Sequence, residues 1–126
     1  MFKSRLPEAI QEFESEIALN PAFAGSYDRL GDAYTRASKF EEAQRMLQRA
    51  VVLDPNATGP YIQLGKVMLK KNDAKTALMY LERAVKMDPS NFITHHLLGQ
   101  AYRAAGQEAD AEREFKRAEE LQRGTQ

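Results

Sequence analysis

The two histidines, His95 and His96, belong to the residue type that most often binds metals in proteins. They are adjacent, and consecutive residues on a helix point about 100° apart, so both cannot face one small site. The sequence supplies no further ligands at a spacing that would complete a metal site around either ring. We therefore expect no metal site.

Patterns for nucleophilic catalysis and phosphate binding are missing as well. The sequence has no cysteine, which excludes disulfides and thiolate chemistry. The serines show no Ser-His-Asp arrangement, and no glycine-rich phosphate-binding pattern is present. Adjacent carboxylates such as Glu41 and Glu42 are typical of a solvated helix face. We expect no catalytic residue and no cofactor.

A period of 34 residues organises the chain. Its columns hold Tyr27, Leu30, Gly31, Tyr34, Ala43, Leu47, Ala50 and Pro55, then Tyr61, Leu64, Gly65, Met68, Ala77, Leu81, Ala84 and Pro89, then His95, Leu98, Gly99, Tyr102, Ala111, Phe115 and Ala118. This period is typical of the tetratricopeptide repeat (TPR) family. The chain resembles that family over residues 24–125, with a leading half-repeat marked by Ala9, Phe13 and Pro21. His95 shares a column with two tyrosines, so we expect a core aromatic there.

The resemblance implies an all-α fold, a right-handed α–α superhelix (TPR solenoid) of seven antiparallel helices. We expect a half-repeat or capping helix in residues 1–23, repeats at 24–57 and 58–91, and a third repeat with the C-terminal end at 92–126. The apolar spacing predicts a first helix over 6–19, capped by Ser4, and helices over 24–37 (helix A) and 41–54 (helix B). Ser38, Asn72 and Gly106 share the column that closes helix A in a left-handed conformation.

Each helix A contains a glycine that costs about 1 kcal/mol of helix propensity relative to alanine. Close approach of helix B explains this cost, and we expect the small residues of helix B to face these glycines. The glycines are Gly31, Gly65 and Gly99, and the facing alanines are Ala43, Ala77 and Ala111.

The outward face of helix B is predicted to stack on the next repeat. Its columns hold Ile10, Phe13 and Ile17, then Gln44, Leu47 and Val51, then Leu78, Leu81 and Val85, then Glu112, Phe115 and Glu119. The last set is acidic, so we expect no further repeat after residue 126 and a partly exposed Phe115. The first helix is expected to be a cap, where Glu16 replaces the alanine of its column. Alternatively, a second chain supplies a missing helix, giving a homodimer through Phe2 and Leu6 or through the Phe115 face.

In the TPR family the A helices line a concave groove that binds an extended peptide or a helix. Carried onto this sequence, the inward positions are Asp28, Asp32, Thr35 and Arg36, then Ile62, Lys66, Leu69 and Lys70, then Ile93, His96, Gln100 and Arg103. The groove would be acidic at its N-terminal end and apolar with a basic edge beyond it. Alternatively, Ile62 and Leu69 only pad the next repeat.

These features predict a non-catalytic protein-interaction module with a protein or peptide partner. The alternatives are a self-assembly unit and a substrate-recruiting segment of a larger protein. The formal net charge is zero, so we expect no nucleic-acid partner. No apolar run approaches the roughly 20 residues of a membrane span, so we expect no membrane partner either. Without a secretion signal, the cytoplasm is the default location.

Overall fold

The computed structural model describes residues 5–124, and all regular secondary structure in that range is α-helical. The helices are α1 (Leu6–Leu19), α2 (Ala24–Arg36), α3 (Phe40–Leu53), α4 (Thr58–Lys70), α5 (Ala74–Met87), α6 (Phe92–Ala104) and α7 (Glu108–Gly124). The predicted all-α fold is confirmed, and the bounds predicted for the first helices agree within one residue. By repeat column α2, α4 and α6 are A helices, α3, α5 and α7 are B helices, and α1 aligns with the B helices. The chain divides into two compact units, with the boundary between Gln63 and Leu64 inside α4.

The ends of α1 follow from proline chemistry. Pro7 lies in the first turn, where its missing N–H costs little, and the helix stops before Pro21. Arg5 occupies the cap position without a side-chain cap hydrogen bond. The predicted cap, Ser4, and the predicted interface residue Phe2 lie outside the described residues.

Each A helix ends in the same turn. Ser38, Asn72 and Gly106 have φ values of 60°, 61° and 80°, so the predicted left-handed column is confirmed. The backbone N–H that follows each of them reaches back to a carbonyl of the last helical turn, with N–O distances of 2.8, 2.9 and 2.8 Å. This pattern is the Schellman motif, and it reverses the chain directly into helix B.

The repeat columns form the core of each unit. The buried apolar side chains of the first unit are Tyr27, Leu30, Ala33, Ala43, Leu47, Ala50 and Tyr61. Those of the second unit are Leu64, Val67, Met68, Ala77, Leu81, Ala84, Leu97, Leu98, Ala101, Ala111 and Ala118. Since the columns recur with the helical spacing of one face, burying them stabilises the helices collectively rather than one by one.

Close approach of helix B at the helix A glycines is confirmed, and a large side chain of helix B makes the nearest contact. A Cβ on Gly31 would lie 2.5 Å from Cγ of Leu47, and one on Gly65 would lie 2.4 Å from Cγ of Leu81. The side chains nearest these glycines therefore come one helical turn after Ala43 and Ala77. Gly99 follows the same rule, with the Phe115 ring 2.7 Å from the added Cβ.

The same contacts correct the outward face of helix B. Leu47 and Leu81 are fully buried and lie against helix A of their own repeat, so they were wrongly placed on the outward face. Phe115 also lies against its own helix A, at Gly99, but it stays half-buried, as predicted.

Candidate functional site

Each unit contains a cleft beside its A and B helices. The N-terminal cleft has a volume of about 500 Å³ and is lined by Leu6, Ala9, Phe13, Asp28, Arg29, Asp32, Ala33, Arg36 and Gln63. The C-terminal cleft has a volume of about 620 Å³ and is lined by Phe92, Ile93, His96, Arg103, Phe115, Ala118, Glu119 and Gln122. These two surfaces are the candidate binding sites.

Glu16 fixes one wall of the N-terminal cleft by docking α1 on α2. Its Oε1 accepts a hydrogen bond from the Ser26 hydroxyl at 3.1 Å and one from the Arg29 guanidinium at 3.0 Å. The hydrogen bond from Arg29 is the main cause that lowers the pKa of Glu16. Glu16, which replaces the alanine of its repeat column, therefore has a role of its own, since its carboxylate accepts the hydrogen bond of the buried Ser26 hydroxyl.

The acidic side of the N-terminal cleft contains one paired and one unpaired carboxylate. Asp32 accepts a hydrogen bond from Nε of Arg36 at 3.0 Å. Among residues 5–124, no group donates a hydrogen bond to the half-buried Asp28. Burial, and then the charge of Asp32, raise the pKa of Asp28. The carboxylate of Asp28 is therefore available to a cationic or hydrogen-bonding group of a ligand.

Phe115 is the centre of the C-terminal cleft. Its ring lies 5.2 Å from the His96 ring and 4.8 Å from the guanidinium carbon of Arg103. Glu108 holds this arginine through an ion pair of 2.7 Å. Ile93 is 49% exposed at the edge. The result is an open apolar surface with a cation stacked on its aromatic ring.

His95 has a structural role, as its column predicted. The ring is buried, with Nε2 2.7 Å from the carbonyl oxygen of Pro89 and Nδ1 2.7 Å from Oε1 of Glu114. Tyr27 makes the equivalent contact, since its hydroxyl donates to the carbonyl oxygen of Pro21 at 2.9 Å. In the described part of the chain, His, Cys, Asp and Glu side chains form no group of three or more that could hold a metal ion.

Two family models described as tetratricopeptide repeat match the sequence, over residues 26–60 and 68–126. The chain belongs to the tetratricopeptide repeat family. This confirms the resemblance, and the TPR fold is that of a protein-interaction scaffold. A search of curated proteins finds no match.

Solved structures of proteins called MamA share the fold of this TPR chain. A crystal structure of MamA has a TM-score of 0.89 at 25% sequence identity, covering 95% of this chain and 70% of that one. Another, labelled MamA MSR-1 C2, has a TM-score of 0.85 at 20% identity, covering 98% of this chain and 71% of that one. Within residues 5–124 of the TPR chain, no helix is both long enough and apolar enough to span a lipid bilayer.

The inward positions predicted from the TPR resemblance fall into separate groups. Those in the N-terminal cleft are Asp28, Asp32 and Arg36, and those in the C-terminal cleft are Ile93, His96 and Arg103. The others lie outside both clefts. The Thr35 hydroxyl donates to the carbonyl oxygen of Gly31 at 2.8 Å, and Gln100 lies 3.3 Å from Nε2 of His96. Ile62 and Leu69 are half-buried, and Lys66 and Lys70 are exposed.

Phe13 and Arg29 line the N-terminal cleft as well, although neither was among the predicted inward positions. The Arg29 guanidinium carbon lies 5.7 Å from the centre of the Phe13 ring, inside the N-terminal cleft. One signal was available. The column of Arg29 continues as Gln63 and Leu97, so its chemistry changes from repeat to repeat while the core columns keep theirs.

Proposed function

We propose that this TPR chain is a non-catalytic protein-interaction module whose A helices bind a peptide or a helical segment of a partner. The observation that carries the proposal is the C-terminal cleft. There the exposed Ile93 and the half-buried Phe115 lie beside Arg103 and Glu119. Exposed apolar groups rimmed by charge are typical of interaction sites.

The charges of the inward positions define the partner further. The first A helix contributes Asp28 and Asp32, and the second contributes the exposed Lys66 and Lys70. Cationic groups of a partner complement the positions in the first unit, and anionic groups complement those in the second. Such complementarity increases the association rate and the specificity more than the affinity itself.

The test begins with peptides selected from a random display library on the immobilised chain. Their dissociation constants are then measured by fluorescence anisotropy for the wild type and for Lys66→Glu plus Lys70→Glu. A matched control, Lys75→Glu plus Lys86→Glu, makes the same charge change at exposed positions of α5. We expect the α4 variant to bind at least tenfold more weakly and the control to bind like the wild type. Circular dichroism checks that both variants remain helical.

Two results would contradict this assignment. Selected peptides that bind both variants equally would exclude the inward face of α4 as part of the site. Equal losses in the two variants would show a nonspecific charge effect instead of a defined site.

Self-assembly is the second candidate, because α1 contains no buried residue and Leu19 at its end is 88% exposed. A homodimer through α1 or through the Phe115 face would cover such surface. Mass measured across a dilution series separates the candidates, since a stable dimer supports self-assembly and a monomer supports the interaction module. The interaction module would also serve as a substrate-recruiting segment of a larger protein.

A further inference from the structure

Phe13 on α1 lacks the contact made by its equivalents. The residues of its column in the later repeats are Leu47, Leu81 and Phe115. Each of these lies against the glycine of an A helix. A Cβ added to that glycine would lie 2.5, 2.4 or 2.7 Å from Leu47, Leu81 or Phe115, respectively. No glycine within residues 5–124 lies against Phe13 in this way. The position that an A helix would take beside α1 is therefore open in the described chain.

The open position coincides with the N-terminal cleft. Leu6, Ala9 and Phe13 form its apolar floor on α1, and all three are half-buried. The side chain of Arg29 on α2 reaches over Phe13 and is held by Glu16. An apolar stripe on one helix, next to a second helix, is the surface into which an amphipathic helix packs.

The charges in the N-terminal cleft set a further requirement for its ligand. Arg29 is paired with Glu16 and Arg36 with Asp32, so these charges are balanced within the chain. Asp28 in the same cleft has no such partner. A ligand that brings one cation to Asp28 completes the pairing, and a half-buried carboxylate gains more from a charged donor than an exposed one does.

We propose that the N-terminal cleft binds an amphipathic helix of a partner protein, which takes the position of an A helix beside α1. Such a helix carries glycine or alanine against Phe13 and a lysine or arginine that reaches Asp28. Its length is that of the chain's own A helices, 13 residues. This inference rests on the proposed interaction function and names the partner segment for the first repeat.

A second copy of the chain is a poorer occupant. The glycine-bearing face of each A helix already contacts Leu47, Leu81 or Phe115 of its own repeat. A second copy would have to unpack one of these contacts before it could offer that face to Phe13. A helix from a different protein has no such cost.

The probe for the test is a fluorescein-labelled peptide with the sequence of α4, Thr58–Lys70. This helix is suitable because its Gly65 already lies against Leu81, the equivalent of Phe13. A hydrocarbon staple that replaces positions 62 and 66 keeps the peptide helical, since an isolated helix this short is marginal in water. Lys70 remains as the cationic side chain of the probe. The matched control peptide carries Gly65→Leu.

Binding to the full chain is measured by fluorescence anisotropy. We expect saturable binding of the probe and at least tenfold weaker binding of the Gly65→Leu peptide. In the chain, Phe13→Ala and Ala9→Arg are each expected to weaken binding at least tenfold. Asp28→Asn should weaken it severalfold, with a smaller effect at high salt. Because α1 has no buried residue and Asp28 on α2 is only half-buried, these variants should keep their helical circular dichroism.

Several outcomes would overturn the inference. One is no saturable binding in the millimolar range, and another is equal binding to Phe13→Ala, Ala9→Arg and the wild type. A loss with Lys66→Glu plus Lys70→Glu as large as that with Ala9→Arg would place the peptide on α4 instead. A dimer of the wild type that Phe13→Ala makes monomeric would assign the cleft to a second copy. If the probe fails while display-selected peptides still bind, only this inference fails.

Discussion

Helices α1 to α3 of the first unit and α5 to α7 of the second are related by two repeat periods, yet their first interfaces differ in chemistry. Between α1 and α2, Glu16 accepts hydrogen bonds from Ser26 and Arg29. Between α5 and α6, the equivalent residues are Ala84, Thr94 and Leu97, all of them buried. The hydroxyl of Thr94 has no hydrogen-bond partner among the described residues.

Another contact is the same in both places. The Tyr34 hydroxyl donates to Glu14 at 3.0 Å, and the Tyr102 hydroxyl donates to Glu82 at 3.0 Å. The docking of a B helix on the next A helix therefore keeps one hydrogen bond at the edge, while its centre is either a polar network or an apolar contact. The hydrogen bond at the edge and the buried core columns set where the two helices dock. The side-chain chemistry at the centre of the interface differs between the two places.

The largest expected difference concerns the glycines of the two A helices. Gly31→Ala places a Cβ 2.5 Å from the fully buried Leu47, whereas Gly99→Ala meets Phe115, which is half-buried and can move toward solvent. Overpacking costs about 1–3 kcal/mol, and alanine returns up to about 1 kcal/mol of helix propensity. We expect Gly31→Ala to lower the free energy of unfolding by about 1–2 kcal/mol and Gly99→Ala to change it little. Urea denaturation followed by circular dichroism measures both.

Gly59→Ala is the control, since its Cβ would make an ordinary contact at 3.6 Å with Asp28. It should not destabilise the chain. If Gly31→Ala and Gly99→Ala lower the free energy of unfolding equally, Phe115 is as rigidly packed as Leu47. The contacts between helix A and helix B would then be alike in the two units.

The second prediction tests the centre of each interface. Thr94→Val removes a buried hydroxyl that lacks a partner, and should raise the free energy of unfolding by about 1 kcal/mol. Ser26→Ala removes a buried hydroxyl that donates to Glu16, and should lower it by about 1 kcal/mol. Urea denaturation gives both values. Changes of the same sign in the two variants would mean that the two interfaces do not differ as described.

The sequence predicted this architecture more completely than its contacts, for a physical reason. Burial recurs with the repeat, so Leu47 and Leu81 stand in columns that are visibly apolar. A column does not say which of two neighbouring helices a buried residue contacts, and for this reason Leu47 was wrongly placed on the outward face. The N-terminal cleft was harder still, because Phe13 and Arg29 come from different helices and meet only through the docking of α1 on α2.

The smallest effect concerns the contact that both interfaces share. Burial, and then the hydrogen bond to Glu82, raise the pKa of Tyr102 to about 12, and the same kinds of cause, with Glu14 in place of Glu82, raise that of Tyr34. Between the unfolded value near 10 and about 12, Tyr102 keeps its proton only in the folded chain, so stability should fall as the pH rises through this range. Urea denaturation at several alkaline pH values should show a shallower fall for Tyr102→Phe than for the wild type. Ultraviolet difference titration should show that the tyrosine lost in Tyr102→Phe is one that ionises near pH 12. If that tyrosine instead ionises near pH 10, its hydroxyl does not donate to Glu82 in solution. The two interfaces would then not share a tyrosine–glutamate hydrogen bond at their edges.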